Sequence, residues 1–595
     1  MARERATIRA EVRPAETLDA LYLTPRPDQG SALLTLARSA AREMPRGHIT
    51  RSAEGVRVPE SMADRLIEGL RNDVELVWHP EATRFVENRR WIASVHSGVF
   101  ASLRRIRHEG LGLAQTMVSD SAGLNVLDRH QVVNVAAMTL PNAPGLCVFD
   151  EQGAGKTVTL IFAFDLLVDR DQADVALIVA PKSMIGEWPK DLVQFRGDMY
   201  RTVVLTGTTR NKRRLLAQGG DIYVTNFETA VTMERELRSL LRARPGRAVL
   251  TVDESFFVKS LDAKRTRALR RLREWAGRAY VLCGTPAPNS PVDLVQQFSL
   301  VDYGYCFSDV DVPEERELAG PVVQSAIEQR GLYLRHLKSD VLPDLPVKRF
   351  QRVLLPMARQ QGRLYRQTLE SLVADVEAVD DATFNRRRAS FLARRMALLQ
   401  ICSNPKGVSD SYRETPAKLT ALDSLVNQVV GREGEKVVIW SFYTRSLDAI
   451  HRRFQRFGVV RYDGSVSDVE ERRDAVRRFQ EDDETMIFVA NPAAAGAGLT
   501  LHRARIAIYE SLSSQAAQYL QSLDRIHRRG QRRDVEYLVL LCDDTLEVSE
   551  YERLVQKEQA AQQLLGDQVD APVTRDTFLS DVHEAAGLLN AGGTR

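Results

Sequence analysis

Short apolar runs alternate with amphipathic segments along two long stretches of this chain. The apolar runs cover residues 145–149, 176–180, 222–225, 248–252 and 279–282 in the first stretch, and residues 437–440, 486–489, 506–509 and 537–540 in the second. Runs that are almost wholly apolar are typical of strands buried on both faces, as in a parallel sheet covered by helices. The pattern therefore predicts an α/β fold with two parallel-sheet domains, whose functional residues follow the carboxyl ends of the strands.

The same alternation predicts five regions. Residues 1–118 mix short helical and strand-like patterns and contain packed aromatic positions, which indicates an accessory N-terminal domain of unknown role. The other regions are a first sheet domain (119–305), a helical and basic inter-lobe segment (306–415), a second sheet domain (416–545) and a C-terminal region of helices and tail (546–595).

Composition narrows the class of protein. The 595 residues are too many for one hydrophobic core. The net charge of +3, from 82 basic and 79 acidic residues, means that any contact with nucleic acid must come from local basic faces. The five cysteines are scattered, without the spacing of a zinc site or a disulfide framework, and no apolar run has the length of a membrane span. We expect a cytosolic protein, associated with the nucleoid if the source is prokaryotic.

The first apolar run ends in a glycine-rich turn that reads Asp-Glu-Gln-Gly-Ala-Gly-Lys-Thr over residues 150–157. A turn of this kind before a helix directs backbone N–H groups at phosphate oxygens. Lys156 would reach the β- and γ-phosphates, and the Thr157 hydroxyl would hold magnesium. The full motif has glycine where this chain has Asp150. The turn by itself is therefore also compatible with a glycine-rich loop that arose by chance.

A carboxylate pair, Asp253 and Glu254, follows the run at 248–252. Because parallel strands end at one edge of the sheet, we expect the pair to lie near the glycine-rich turn. Asp253 would bind the same magnesium ion, and Glu254 would orient or deprotonate the attacking water. Acidic pairs are common at strand ends, but with the turn they predict a hydrolase of nucleoside triphosphates.

Several further segments, in order, resemble the Swi/Snf branch of the superfamily 2 helicase motors, which translocate on double-stranded DNA. Residues 150–157 are similar to the phosphate loop of that branch, which also lacks the leading glycine. The other similar segments are 282–289 (the third motif), 334–346 (the inter-lobe segment), 462–465 with Arg472 and Phe479, and 524–531 (the last motif). The resemblance covers about residues 127 to 560, so it excludes most of the N-terminal region.

The resemblance implies two tandem RecA-like parallel-sheet lobes with a helical insertion, and ATP with Mg²⁺ as substrate and cofactor. It places Gly153, Gly155, Lys156 and Thr157 around the phosphates, and it makes Gln131 the residue that reads adenine. A single glutamine is often a surface residue without a specific role, and only the position of Gln131 upstream of the loop supports recognition of adenine.

The second lobe, by the same resemblance, supplies arginine fingers through Arg525 and Arg528. Three residues apart, these side chains would share one face if the segment is helical. Positive charge at the γ-phosphate stabilises the transition state of hydrolysis. The alternative is a basic surface or DNA-facing patch, the interpretation that we favour for Arg529, Arg532 and Arg533.

The DNA contacts that the resemblance implies are polar side chains suited to phosphates. They are Lys182, Ser183, Thr225 and Asn226 in the first lobe and Ser441 and Thr444 in the second. Such groups position a duplex without reading its sequence. Each hydroxyl could equally cap a helix or close a turn.

Three positions depart from the family pattern. Phe256 stands where the family has a histidine that links the nucleotide site to the neighbouring motif. In the fifth motif, Ala495 replaces a glycine and Thr500 replaces an asparagine, which puts backbone freedom and one polar contact in doubt. The hydrolytic residues themselves are all present, so we expect an active enzyme.

The sequence therefore favours a DNA-dependent ATPase that translocates on double-stranded DNA and remodels or displaces bound protein. One alternative is a strand-separating DNA helicase. Another is a nucleotide-gated binding or assembly module without turnover, for which Phe256 is the best support. Residues 1–118 could recruit a protein partner, and no membrane partner is expected.

Overall fold

The computed structural model describes most of the chain: residues 8–26, 33–42, 50–52, 55–59, 74–121, 123–287, 290–313, 315–342, 344–466, 469–494, 499–513, 515–560 and 574–592. The chain divides into two compact units, Met1–Leu337 and Lys338–Arg595. Within the described residues, no helix has the length and apolar character needed to cross a membrane.

The first unit contains two sheets. The strands of the smaller sheet are β1 (Ile8–Pro14), β2 (Ala20–Pro25), β3 (Thr50–Ser52), β4 (Gly55–Pro59) and β5 (Val74–Trp78). The strands of the larger sheet are β6 (Gly145–Val148), β7 (Val175–Ala180), β8 (Thr202–Val204), β9 (Ile222–Asn226), β10 (Ala248–Asp253), β11 (Arg278–Leu282) and β12 (Tyr333–Leu334). The smaller sheet is mixed, in the order β3-β4-β2-β1-β5, whereas the larger is wholly parallel, in the order β12-β6-β11-β10-β7-β9-β8.

Helices flank both sheets of the first unit. They span Leu33–Arg42, Pro80–Glu109, Leu111–Met117, Arg129–Met138, Lys156–Asp169, Trp188–Arg196, Thr209–Ala217, Phe227–Thr232, Glu234–Arg242, Lys264–Arg273, Asp293–Asp302 and Arg316–Arg330. The longest, Pro80–Glu109, is tied to the parallel-sheet region by Asn88 and Arg89, whose side chains donate to the Glu274 carboxylate at 2.7 Å each. Because Asn88 and Glu274 are buried, these bonds hold the N-terminal region firmly against the larger sheet domain.

The second unit is built on one parallel sheet, in the order β13-β18-β17-β14-β16-β15. Its strands are β13 (Lys348–Leu355), β14 (Val437–Trp440), β15 (Val459–Tyr462), β16 (Ile487–Ala490), β17 (Ile506–Tyr509) and β18 (Val535–Cys542). Its helices span Lys338–Val341, Arg359–Glu377, Asp381–Ser403, Ala417–Val426, Thr444–Arg453, Val469–Glu481, Ala516–Leu523, Leu546–Ala560 and Arg575–Gly592.

The predicted fold class is confirmed, since both predicted sheets are present and parallel. Each predicted strand coincides with an observed one to within one or two residues at its ends. The five predicted domain boundaries stay predictions. One strand of each large sheet, β12 and β13, falls in the segment predicted to be helical.

Candidate nucleotide site

The glycine-rich turn lies between β6 and the helix Lys156–Asp169. Gly153 and Gly155 have φ angles of +87° and +86°, a left-handed conformation that other residues adopt at a cost. A Cβ on Gly155 would also lie 2.1 Å from Gln131 Nε2. The turn therefore needs glycine at both positions, which supports a structured phosphate cradle over a chance loop.

Lys156 is nearly buried at the start of this helix. Its Nζ donates to the backbone oxygens of Asp150 at 2.9 Å and Glu151 at 3.4 Å. The ammonium group is thus held against the turn that precedes it, at the N-terminal end of a helix, where the macrodipole favours anions. Thr157, the predicted magnesium ligand, is the next residue of that helix.

Asp150 has a structural role at the position where the full phosphate-loop motif has glycine. Its carboxylate is fully buried and accepts bonds from Asn134 Nδ2 at 2.5 Å, from the His336 backbone N–H at 2.9 Å and from His336 Nδ1 at 2.8 Å. These bonds fix the start of the turn to two other elements of the first unit. Sequence reasoning missed Asn134 and His336, and His336 lies within the inter-lobe segment that the resemblance singled out.

The carboxylate pair ends β10, two strands from β6 in the same sheet. Asp253 Oδ1 accepts from the backbone N–H of Glu254 at 3.0 Å, and Oδ2 accepts from Trp188 Nε1 at 3.1 Å. Burial and the neighbouring Glu254 carboxylate raise the pKa of Asp253, and the charge of Lys156 opposes that rise. Trp188 was not predicted, although it follows β7, which adjoins β10.

Glu254 is strained and incompletely bonded. Its φ angle is +51°, which is uncommon for a residue with a side chain. Its carboxylate is buried, and Oε2 has no hydrogen-bond partner among the residues that the structure describes. Buried polar atoms are seldom left unpaired, so this oxygen is suited to accept a bond from a substrate water.

This donor set fits Mg²⁺ with a triphosphate. Thr157 and Asp253 would hold the ion through a hydroxyl and a carboxylate, the oxygen ligands that magnesium prefers. When bound, magnesium neutralises charge on the phosphate oxygens. The chain's own part would be to supply N–H groups and Lys156 to the phosphates and the Glu254 carboxylate to the water.

Gln131 lies beside the glycine-rich turn, at the start of the helix Arg129–Met138. Its Oε1 accepts from the backbone N–H of Asp128 at 2.8 Å, which caps the helix. Its Nε2 donates to the backbone oxygens of Ala154 at 3.3 Å and Gly155 at 3.4 Å. The side chain thus supports the phosphate loop, and its reading of adenine stays a prediction.

The predicted DNA contacts of the first unit follow β7 and β9. Lys182 and Ser183 are exposed just after β7. Asn226 caps the helix Phe227–Thr232, where its Oδ1 accepts from the Thr229 N–H at 2.8 Å. Thr225 is fully buried, so its hydroxyl faces the interior. Of these side chains, only those of Lys182 and Ser183 are exposed as phosphate contacts require.

The two predicted contacts of the second unit also differ. Thr444 is exposed at the first position of the helix Thr444–Arg453. Ser441 is fully buried, and its Oγ donates to Glu510 Oε2 at 2.7 Å. The Ser441 side chain therefore bonds within the interior of this unit, and its backbone N–H donates to the Ala490 oxygen at 3.0 Å, so Thr444 is the exposed one of the two.

The segment with the predicted arginine fingers is a turn, because the preceding helix ends at Leu523. The condition for a shared helical face is therefore not met, and the role of the two arginines as fingers stays a prediction. Arg525 is fully buried, and its Nη1 donates to the Leu499 backbone oxygen at 3.3 Å. Arg528 is half-buried, and its Nη1 donates to Thr500 Oγ1 at 2.9 Å. The fifth-motif residue Thr500 thus supplies a polar contact after all, while Ala495 lies outside the described residues.

The basic residues after Arg528 are not equivalent. Arg529 is exposed, as a surface patch requires. Arg533 instead forms a two-point ion pair with Glu435, at 2.6 and 2.8 Å. That pairing makes Arg533 a weaker candidate for DNA contact than the sequence indicated.

A buried ion pair precedes Arg525. Asp524 Oδ1 accepts from Lys338 Nζ at 2.7 Å, and the charges of Lys338 and Lys348 lower the pKa of Asp524 to about 2 despite its burial. His527 Nε2 lies 2.7 Å from the Pro346 backbone oxygen, and its buried Nδ1 has no partner within the described part of the chain. Burial and the charge of Lys348 lower the pKa of His527 to about 4.

We expect the second unit to lose stability in mild acid through His527. The pKa of His527 in the folded state lies below the ordinary value of 6.5. The neutral imidazole therefore contributes fully to the free energy of unfolding above pH 6.5, and this contribution is lost as pH falls toward 4. Asp524 stays ionised over that range. In the His527→Gln variant, which keeps a donor for Pro346, the drop in melting temperature between about pH 7.5 and about pH 5 should be smaller than in the wild type. The exposed His583→Gln control should match the wild type, and an equal drop in all three proteins would contradict the assignment.

Two parallel sheets, with a glycine-rich phosphate loop after a strand of the first, are the architecture of a helicase-like ATPase. Residues 90–407 match the model of the SNF2-related domain, and residues 417–530 match the helicase conserved C-terminal domain. The chain therefore belongs to the SNF2-related family, and the predicted resemblance is confirmed. The SNF2-related match begins within the region predicted to be accessory.

Relatives in this family include an ISWI chromatin-remodeling complex ATPase of Saccharomyces cerevisiae, 25% identical over 439 residues, or 69% of this chain and 38% of that protein. A second is the "SWI/SNF-related matrix-associated actin-dependent regulator of chromatin subfamily A-like protein 1 homolog" of Caenorhabditis elegans, 26% identical over 66% of this chain and 55% of that protein. This chain thus spans only about two fifths of the length of the yeast relative. A solved SWI2/SNF2 ATPase core of Sulfolobus solfataricus in complex with double-stranded DNA matches 74% of this chain and 92% of its own, at 21% identity and a TM-score of 0.34.

Proposed function

We propose that this protein hydrolyses ATP to translocate on double-stranded DNA and so remodels or displaces proteins bound there. The observation that carries the proposal is the hydrolytic set at one edge of the first parallel sheet. Lys156 is held against the phosphate turn, and beside Asp253 the Glu254 carboxylate has a buried oxygen that no described residue bonds. A scaffold that only bound nucleotide would not need a strained and unpaired carboxylate.

Hydrolysis would proceed by positioning and electrostatics. Backbone N–H groups of the glycine turn and Lys156 hold the phosphates, and Glu254 orients the water and takes its proton. Arg528 and Arg525 would supply positive charge at the γ-phosphate. Arg528 is the better placed of the two to reach a ligand because it is the less buried.

Support for duplex DNA as the partner comes from the exposed groups that follow strand ends, Lys182, Ser183 and Thr444. A cation and two hydroxyls suit phosphates, so binding should tolerate any base sequence and weaken with salt. A cytosolic or nucleoid location and a protein partner for residues 1–118 remain parts of the proposal.

The test measures ATP hydrolysis with and without duplex DNA, with Lys156→Ala as the inactive control. We expect DNA to raise the turnover rate and Lys156→Ala to abolish it. Displacement of a triplex-forming strand without unwinding of a forked duplex would support translocation, whereas unwinding would favour the strand-separating helicase. Turnover absent under both conditions would favour the nucleotide-gated module and overturn the proposal.

A further inference from the structure

Ser255 follows the water-activating residue directly and is fully buried. Its hydroxyl donates to Gln297 Oε1 at 2.5 Å, and Gln297 is also fully buried, on the helix Asp293–Asp302. A hydroxyl and an amide at this depth cost free energy unless their bonds are complete. The roles proposed for Lys156, Asp253 and Glu254 do not explain why Ser255 and Gln297 are buried and bonded to each other.

Gln297 uses the other end of its amide as well. Its Nε2 donates to the Pro286 backbone oxygen at 2.5 Å and to the Asp293 backbone oxygen at 3.0 Å. The bonds fix the orientation of the amide, since only Nε2 can donate to two carbonyls and only Oε1 can accept from Ser255. Gln297 therefore joins the carboxylate turn to the segment 284–287, which follows β11.

That segment in turn touches the phosphate loop. A Cβ on Gly284 would lie 2.9 Å from the backbone nitrogen of Gln152, so the two backbones are in close contact there. A continuous series of contacts thus connects Glu254, through Ser255, Gln297 and the segment 284–287, to the loop that carries Lys156. Its members all lie within the first unit.

The other side of the Glu254 turn is apolar. Phe256 stacks on Phe257 with ring centroids 4.5 Å apart, and Phe257 packs against Phe227 at 5.3 Å. These rings make no directional bond that could fix the carboxylate. Ser255 does so, because its side chain is bonded to Gln297 and its backbone oxygen accepts from the Val258 N–H at 2.7 Å.

We propose that Ser255 and Gln297 are positioning residues, which hold the strained Glu254 turn in register with the phosphate loop. This inference rests on the proposed function, because it concerns ATP hydrolysis at that site. Breaking the bridge should let the Glu254 carboxylate shift while the phosphate loop remains intact. The effect should therefore fall on turnover and leave nucleotide binding unchanged.

The experiment compares Ser255→Ala, Ser255→Thr and Gln297→Leu in the full chain. For Ser255→Ala and Gln297→Leu, we expect kcat for ATP to fall about tenfold with and without DNA, while the Kd of a fluorescent ATP analogue changes by less than about twofold. Ser255→Thr keeps the hydroxyl and should restore most of kcat. The Ser255→Ala/Gln297→Leu double variant should lose about as much as either single variant, since both break one bridge.

Ser299→Ala is the matched control. Ser299 is also buried on the helix Asp293–Asp302, but among the residues that the structure describes its hydroxyl bonds only to the Val295 backbone oxygen of its own helix. It should keep wild-type kcat, and thermal unfolding should show that every variant is folded. An unchanged kcat in Ser255→Ala, a loss of nucleotide binding equal to the loss of kcat, or no restoration by Ser255→Thr would each overturn the inference. Wild-type hydrolysis that DNA fails to stimulate would overturn only the translocase proposal, and a wild type without hydrolysis would overturn both.

Discussion

Replacing Glu254 with glutamine should lower the rate of ATP hydrolysis by about 10²–10⁴-fold, the usual contribution of a positioned general base. Glutamine is nearly isosteric with glutamate but has no carboxylate to take a proton from water. The wild-type carboxylate is buried with Oε2 unpaired within the described chain, so its loss should affect the reaction more than the fold.

Nucleotide binding should survive in Glu254→Gln. The Glu254 charge is one of the two causes that raise the pKa of Asp253, so its removal lets Asp253 ionise more easily as a magnesium ligand. Single-turnover hydrolysis and the Kd of a fluorescent ATP analogue, measured with Mg²⁺, separate the two effects. Glu228→Gln, on an exposed helix position in the same unit, is the control and should hydrolyse ATP at the wild-type rate. Wild-type turnover in Glu254→Gln would show that another group activates the water.

The central strands of both large sheets could be predicted because nearly all of their residues are apolar. β6, β7, β10 and β11 are buried throughout, and so is β14 in the second unit. A strand that is buried on both faces carries few polar residues, so its apolar run stands out in the sequence. The sequence therefore located the sheet edge at which Lys156 and Glu254 lie.

The edge strands were not predictable in the same way. β13 carries Lys348, Arg349 and Arg352, and most of its residues are exposed or half-buried. A strand paired on one side only needs no apolar run, and charges protect its open edge. Its sequence therefore resembled the basic helical segment in which it was placed.

The residues of the site likewise fall into a group that the sequence could reveal and a group that it could not. Lys156, Asp253 and Glu254 could be found because each stands at a fixed offset from a buried strand. Trp188 and Gln297 could not, because their bonds to Asp253 and Ser255 cross 65 and 42 residues of sequence. Only the packing of the first unit brings those pairs together.

Arg528→Ala should lower kcat for ATP by about 10³-fold or more, as expected for removal of an arginine finger. The reason is the loss of positive charge where charge develops on the γ-phosphate. Its Nη1 donates to Thr500 Oγ1 at 2.9 Å, so the side chain has already lost conformational freedom before any ligand binds. Hydrolysis measured at saturating DNA, with nucleotide affinity determined separately, isolates this effect from DNA binding.

Arg529→Ala is the matched control, since it removes the same charge one residue away at an exposed position. If Arg529 belongs to a DNA-facing patch, its loss should raise the DNA concentration needed for half-maximal activity and flatten the salt dependence, with kcat unchanged. The same behaviour in Arg528→Ala would assign Arg528 to that patch as well, and it would remove the arginine finger from the mechanism. A fall in kcat that saturating DNA cannot restore, seen for Arg528 and not for Arg529, is the result that a finger requires.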